Sequence, residues 1–224
     1  MVQTAAVEAV SAGSCLRLAS LLAARVCHDL ASNLGAVVSA LQLARDPSQE
    51  HPGALALAEE AGMDMVHRLR LLRAAWGGDN EEITPDDLRR LSLGLGRGRI
   101  AVRLSGIDPD TRFAAAPARL VLNVMLLGAE CLSQGGILTM IGDGSRELLV
   151  SISGPGAAWT PGFLACVAAP EVAWARLSQE SDGSVGGLQS VLTALIAHDS
   201  GLGISVLMGR EAEAAPPLLL RLSR

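Results

Sequence analysis

The chain contains no lysine: all eighteen of its basic residues are arginine. That absence excludes mechanisms built on a catalytic lysine, including the phosphate-binding loop that ends in Lys-Ser or Lys-Thr. The arginines form no run or stripe, and a net charge of -5 argues further against a nucleic-acid partner. Cysteine is sparse. Cys15, Cys27, Cys131 and Cys166 stand far apart, with no CxxC pair and no histidine cluster beside them, so no metal site is expected and the thiols read as reduced and structural. Glu8 is present and no arginine precedes Arg17, so the start lacks the positive charge of an export signal and a cytoplasmic location is expected. The longest uncharged stretch, Leu148 to Pro170, is broken by Gly154, Pro155, Gly156 and Pro161, which predicts no transmembrane segment.

What is present is apolar material in two different patterns. Half of the 224 residues are hydrophobic, enough for one large domain or two small ones with a substantial core. From about residue 14 to 46, Val26, Leu30, Leu34, Val37, Leu41 and Ala44 alternate spacings of four and three, the seam of a helix. Asp46, Pro47 and Ser48 interrupt it, and Pro52 can open a second helix with apolar positions Leu55, Gly62, Val66, Leu69, Leu72 and Trp76. The pair reads as an antiparallel hairpin. Helices of roughly 25 to 33 residues, about 40 to 50 Å long, cannot bury both faces alone, and dimerisation into a four-helix bundle would solve that problem.

Gly77, Gly78 and Asp79 mark a boundary, dividing the chain into 1-78 and 79-224. Beyond it the periodicity predicts an α/β domain. Helices are expected from Pro85 to about Leu95, Pro117 to Ser133 and about Gly187 to His198. Strands are expected near Arg99 to Ser105, Ile137 to Ile141, Leu148 to Ser153, Ile204 to Met208 and Leu218 to Leu222. The region between Gly154 and Gly187 reads as a glycine and proline loop with a short lid.

The segment that carries chemistry is RVCHDLASNLGAVVSALQLA, residues 25 to 44. At about 100° per residue, His28 lies about 200° from Val26, so its ring points away from the seam toward solvent. Its helical neighbours Ala24, Ala31, Ser32 and Gly35 are small, which would let a partner approach closely. A phosphate-carrying histidine needs one ring nitrogen free as nucleophile and the other held, and Asp29 is the natural orienting carboxylate. Arg25 is three residues before His28 on the same face, placed to meet phosphate oxygens or an acidic partner.

His-Asp-Leu followed by a polar residue, Gly-Ala-Val and an amphipathic helix resembles the phosphoacceptor helix of ChpT-type bacterial histidine phosphotransferases. More distantly it resembles histidine kinase dimerisation helices. Asn33 stands where that family commonly has proline. Residues 80 to 224 are similar in layout to the histidine kinase ATPase (Bergerat) domain, an α/β sandwich. The helix RLVLNVMLLGAE resembles the asparagine-bearing helix of that superfamily, with Asn123 at the first asparagine position and Leu127 at the magnesium-associated second. VSISGPGAAW resembles the Asp-x-Gly-x-Gly motif, with Gly154 and Gly156 kept and Ile152 in place of the adenine-reading aspartate. Gly186, Gly187 and Leu188 look like the last glycine motif. Apolar carbon cannot coordinate magnesium, so the resemblance implies a degenerate domain that does not bind ATP.

The reading that follows is a homodimeric histidine phosphotransferase. It would pass phosphate through His28 between a hybrid kinase's receiver domain and downstream response regulators, with Asp29 assisting and Arg25 and Ser32 touching the receiver. It would carry no cofactor of its own, and the receiver would supply Mg2+. Two alternatives stay open: an ATP-using histidine kinase with a divergent site, and a non-catalytic dimeric scaffold for response regulators. His51, His67 and His198 read as solvated surface or helix-end residues, and Trp76, Trp159 and Trp174 as core or interface.

Overall fold

The computed structural model describes residues 12-46, 51-77, 82-96, 98-179, 187-207 and 215-223. Glu8, Pro47, Ser48, Gly78, Asp79, Gly186 and Met208, used in the sequence reading, lie outside the described residues. Two long helices come first, α1 (Ala12–Arg45) and α2 (Ala54–Trp76), and they pack against each other as the expected hairpin. Asn33 causes no break: α1 runs on through it, and its side chain is buried.

The second part follows in the order α3 (Pro85–Ser92), β1 (Ile100–Ser105), α4 (Ala115–Cys131), β2 (Gly136–Gly142), β3 (Glu147–Ser153), α5 (Phe163–Ala168), α6 (Pro170–Gln179), α7 (Leu188–Ser200), β4 (Gly203–Val206), β5 (Leu218–Arg221). The strands form one mixed sheet in the order β1-β2-β3-β5-β4, with β1 parallel to β2 and the other pairs antiparallel. Alternation decides which face is covered. Leu138 and Met140 of β2, Leu148, Val150 and Ile152 of β3, and Leu218 and Leu220 of β5 all point into the core. From Leu120 through Leu127 every residue of α4 is buried, and each leucine so enclosed contributes about 1.5–3 kcal/mol. Gly128 lets the helix approach the sheet, because a Cβ there would lie 2.6 Å from Leu138 Cδ1 and 3.2 Å from Ile152 Cγ2.

Helix α3 starts on a reciprocal cap: Thr84 Oγ1 accepts from the Asp87 backbone and the Asp87 carboxylate accepts from the Thr84 backbone, with Pro85 at the first helical position. The Thr84 hydroxyl also donates to the Asp87 carboxylate, at 2.6 Å, and this bond together with the one from the Thr84 backbone holds that carboxyl down at about 2.

The stretch after Gly154, expected as loop and lid, instead contains α5 and α6. Pro170 begins the latter, a position where a missing N–H costs nothing. Phe163 and Cys166, then Ala173 and Leu177, recur at helical spacings and are fully buried, and all but Phe163 join Leu188, Val191 and Ala194 of α7 in a second small core. The proline and glycine residues there punctuate helices rather than fill a loop.

The expected α1 seam is only partly covered: Val26, Leu30 and Val37 are half-buried, whereas Leu34, Leu41 and Ala44 are exposed. Leu18, Leu22 and Val26 pack on the α/β core, and Arg17 Nε donates to Leu177 O at 3.0 Å. Leu34, Val38 and Leu41, further along, are exposed within one chain. By length and composition alone α1 also meets the criteria for a membrane-crossing helix, with a window of mean hydropathy 1.2, of which 6% is buried in this chain.

Asn123 sits at the junction of the two parts. It is completely buried, donating from Nδ2 to Ala75 O (3.1 Å) and Arg119 O (2.8 Å) and accepting at Oδ1 from Trp76 Nε1 (3.0 Å) and Gln189 Nε2 (3.0 Å). It therefore ties the end of α2 to α4 and α7. Replacing Asn123 by alanine would orphan several buried groups at once, and a loss of about 2–4 kcal/mol is expected in urea unfolding followed by Trp fluorescence.

Candidate functional site

His28 lies on the solvent side of α1, its side chain 72% exposed. The ring stands outside the bundle seam because Val26 and Leu30, two residues away on either side, turn inward to half-buried positions. Nδ1 lies 3.5 Å from Asp29 Oδ1, the outer limit of a hydrogen bond, so the carboxylate faces that nitrogen and leaves Nε2 to solvent.

Asp29 is itself held by a chain of charges running through three helices. Arg68 of α2 donates twice to Asp29 Oδ2, from Nε at 3.0 Å and from a terminal nitrogen at 2.7 Å. Arg25 lies with Nε 3.3 Å from Asp29 Oδ1 and a terminal nitrogen 2.8 Å from Glu130 Oε1 at the end of α4. Arg68 also reaches Gly94 O, at 3.4 Å, in the turn after α3. Burial acts to raise the Asp29 pKa, but the charge and hydrogen bonds of Arg68, followed by the charge of Arg25, outweigh it and hold the carboxyl below the usual aspartate range. Glu130 goes the other way: burial pushes its carboxyl up despite Arg25, and its Oε2 has no hydrogen-bond partner among the described residues.

His28, Asp29, Arg25 and Ser32 line one groove of about 230 Å³, so the four residues singled out from sequence are brought together. The opposite wall comes from the α/β part: Leu93, Gly94, Gly96, Arg99 and Glu130. Gly94 allows the approach, since a Cβ there would meet His67 O at 2.6 Å and Leu71 Cβ at 3.0 Å. Ser32 is exposed at the rim. The Arg25 guanidinium, expected to face outward, is occupied by two carboxylates of its own chain and is 15% exposed.

Sequence reasoning missed Arg68, Arg99 and Glu130. One signal for Arg68 existed: in an antiparallel hairpin turning near residue 49, position 29 faces the neighbourhood of residue 69. Nothing in the local pattern marks Glu130 or Arg99, whose placement depends on how the α/β part docks. His51, His67 and His198 do not line the groove, and His198 Nε2 is 3.0 Å from Cys166 O. Among the described residues no group of three or more His, Cys, Asp or Glu could hold a metal.

No protein-family model matches the chain. The fold is that of a phosphotransferase known from a 1.7 Å bacterial structure, superposing with a TM-score of 0.71 at 23% identity over 95% of this chain and 98% of that one. In sequence the chain is similar to the protein phosphotransferase ChpT of Brucella abortus (strain 2308), 26% identical over 86% of this chain and 91% of that protein. The cytoplasmic segment of histidine kinase QseC aligns over 80% of this chain and 99% of its own, at 18% identity and a TM-score of 0.37.

The charge chain has a pH signature. The Asp29 carboxyl is lowered in the fold below its ordinary range, so its ion pair stabilises the native state above that ordinary value and the contribution is lost as the pH falls through the lowered one. Arg68→Ala is expected to cost about 1–3 kcal/mol at neutral pH and progressively less in acid. Urea midpoints across that range measure it; a deficit that does not shrink in acid would contradict this account.

Proposed function

We propose that this chain is a protein phosphotransferase that relays a phosphoryl group between receiver-domain aspartates through His28, as a cytoplasmic homodimer and without ATP. The observation that carries the reading is an exposed imidazole whose Nδ1 faces a carboxylate that Arg68 and Arg25 hold in place. Similarity to ChpT across most of both chains supports the same class of reaction.

In the donor step Nε2 attacks the phosphorus of an aspartyl phosphate in line. The bond between phosphorus and the aspartate oxygen breaks, and the aspartate leaves as a carboxylate. The Nδ1 proton stays with the ring, where Asp29 balances the positive charge of the phosphoimidazole. In the acceptor step a second receiver's aspartate attacks the phosphorus and the neutral imidazole leaves. Magnesium comes with the receiver, whose acidic pocket closes over the ring.

The groove supplies the docking contacts. Ser32 and Arg25 belong to its α1 wall, but Arg25 is largely committed to Asp29 and Glu130, and the exposed Arg99 on the opposite wall is better placed to face an acidic receiver. Leu93, 56% exposed beside it, offers an apolar contact. The α/β part thus contributes one wall of the docking surface.

Independence from ATP is supported by the residues at the kinase-like positions. Asn123 spends its side chain on Trp76, Gln189 and two backbone carbonyls, while Leu127 and Ile152 are fully buried in the core. Dimerisation is supported by Leu34, Val38 and Leu41 on α1 and Leu55 and Met63 on α2, apolar side chains left exposed by a single hairpin.

Incubation with a phosphorylated receiver is expected to give label on the wild type that survives base and is lost in acid, and none on His28→Ala. Full labelling of His28→Ala would refute the assignment, and receiver binding without any transfer would favour the scaffold. In sedimentation the wild type is expected to run as a dimer and the Leu34→Glu/Val38→Glu double variant as a folded monomer; a monomeric wild type would overturn the dimer.

A further inference from the structure

The two oxygens of Asp29 have different partners. Oδ2 accepts both hydrogen bonds from Arg68, at 3.0 and 2.7 Å. Oδ1 is contested: His28 Nδ1 lies 3.5 Å from it and Arg25 Nε 3.3 Å. A contact at the outer limit of hydrogen bonding is easily lost to a competing donor, and arginine competes strongly because it is always charged. The imidazole's share of Oδ1 therefore depends on what else holds Arg25.

Glu130 holds it. A terminal nitrogen of Arg25 is 2.8 Å from Glu130 Oε1, a shorter contact than the one Nε makes with Asp29, and both side chains are largely buried. The position is an unfavourable one for a carboxylate. Glu130 lies in the last turn of α4, where the negative end of the helix dipole opposes an acidic side chain, and burial pushes its carboxyl up. Positions that break a local rule concentrate at functional sites, and this one shares a groove with His28.

The choice of nitrogen matters to the chemistry. A neutral histidine side chain free in water carries its proton mainly on Nε2, which leaves the attacking lone pair on Nδ1. Transfer through Nε2 needs the opposite arrangement, and the hydrogen bond made by one ring nitrogen decides the state of the other. We propose that Glu130 is a positioning residue for the phosphoacceptor: it draws Arg25 toward the α/β part, leaves Asp29 Oδ1 to the Nδ1–H of His28, and so keeps the lone pair on the exposed Nε2. This rests on the relay reading of His28, and it gives the α/β part a share in the transfer chemistry in addition to its docking wall. Without Glu130 the guanidinium turns further onto Asp29 Oδ1, the carboxylate's hold on Nδ1 weakens, and the ring proton shifts toward Nε2.

The test is the tautomer of His28, read in long-range proton–nitrogen NMR spectra of the full chain labelled at its histidines, at a pH where the ring is neutral. The His28 signal is assigned by its loss in His28→Ala. The wild type is expected to be mainly the Nδ1–H form. Glu130→Ala, and to a lesser degree Glu130→Gln, is expected to lower the ratio of Nδ1–H to Nε2–H by about fivefold, the worth of one weak hydrogen bond. Adding Arg25→Ala to either variant removes the competitor along with its anchor, and the ratio is expected to return toward the wild-type value. A role confined to stability would leave the double variant no closer to the wild type than the single one. Glu130→Gln keeps the size and an acceptor oxygen, so it carries the test if the alanine variant does not fold. An unchanged ratio in the Glu130 variants overturns the proposal. So does a double variant that stays at the single variant's ratio, or a wild type that is mainly Nε2–H. Whether His28 carries phosphate at all is decided separately, by labelling of the wild type against His28→Ala, so the two failures are told apart.

Discussion

The structure depends on a line of alternating charges that begins beside one exposed imidazole. Asp29 is the central member, gripped from α2 by Arg68 and from its own helix by Arg25, which also holds Glu130 of α4. These side chains are about 15–21% exposed, so solvent screens them less than an ordinary surface pair. Removing one member leaves the next partly buried and unpaired, which is why the network behaves as a unit. Burial raises both carboxyls: at Glu130 it prevails despite Arg25, and at Asp29 it is outweighed by Arg68 and then Arg25.

Around that line the apolar surface of α1 is shared between two uses. Leu18, Leu22 and Val26 seal the α/β core, which fixes how the hairpin and the sheet domain meet. Leu34, Val38 and Leu41 remain uncovered. His28 falls where one use gives way to the other, close enough to the α/β part to share a groove with it and still open to solvent. The buried Asn123 network adds a second tie at the far end of α2, so the hairpin is anchored at two levels.

Much of this was legible in the sequence because periodicity is a local signal. The hairpin, the five strands, α4 and the outward direction of His28 all follow from spacing alone, as does the placing of Asp29 beside it. Two helices were hidden by their prolines: Pro161 and Pro170 suggest a loop, and only the burial of Phe163, Cys166, Ala173 and Leu177 reveals why α5 and α6 form. Arg25 was placed on the correct helix and in the correct groove, but no pattern within α1 could say that Glu130, far along the chain, would claim its guanidinium. Arg68 was recoverable from hairpin geometry; Arg99 and Glu130 were not, since they enter the groove through tertiary docking.

Gly94 sets a dimension. The turn after α3 rests on the backbone of α2 with no room for even one methyl group, and that turn forms the wall facing the imidazole. The contact limits how near that turn can come to α2, so the position of this wall of the groove is set by backbone packing. Whatever enters the groove meets that wall as a steric limit, which is insensitive to salt, as well as meeting its charge, which is not.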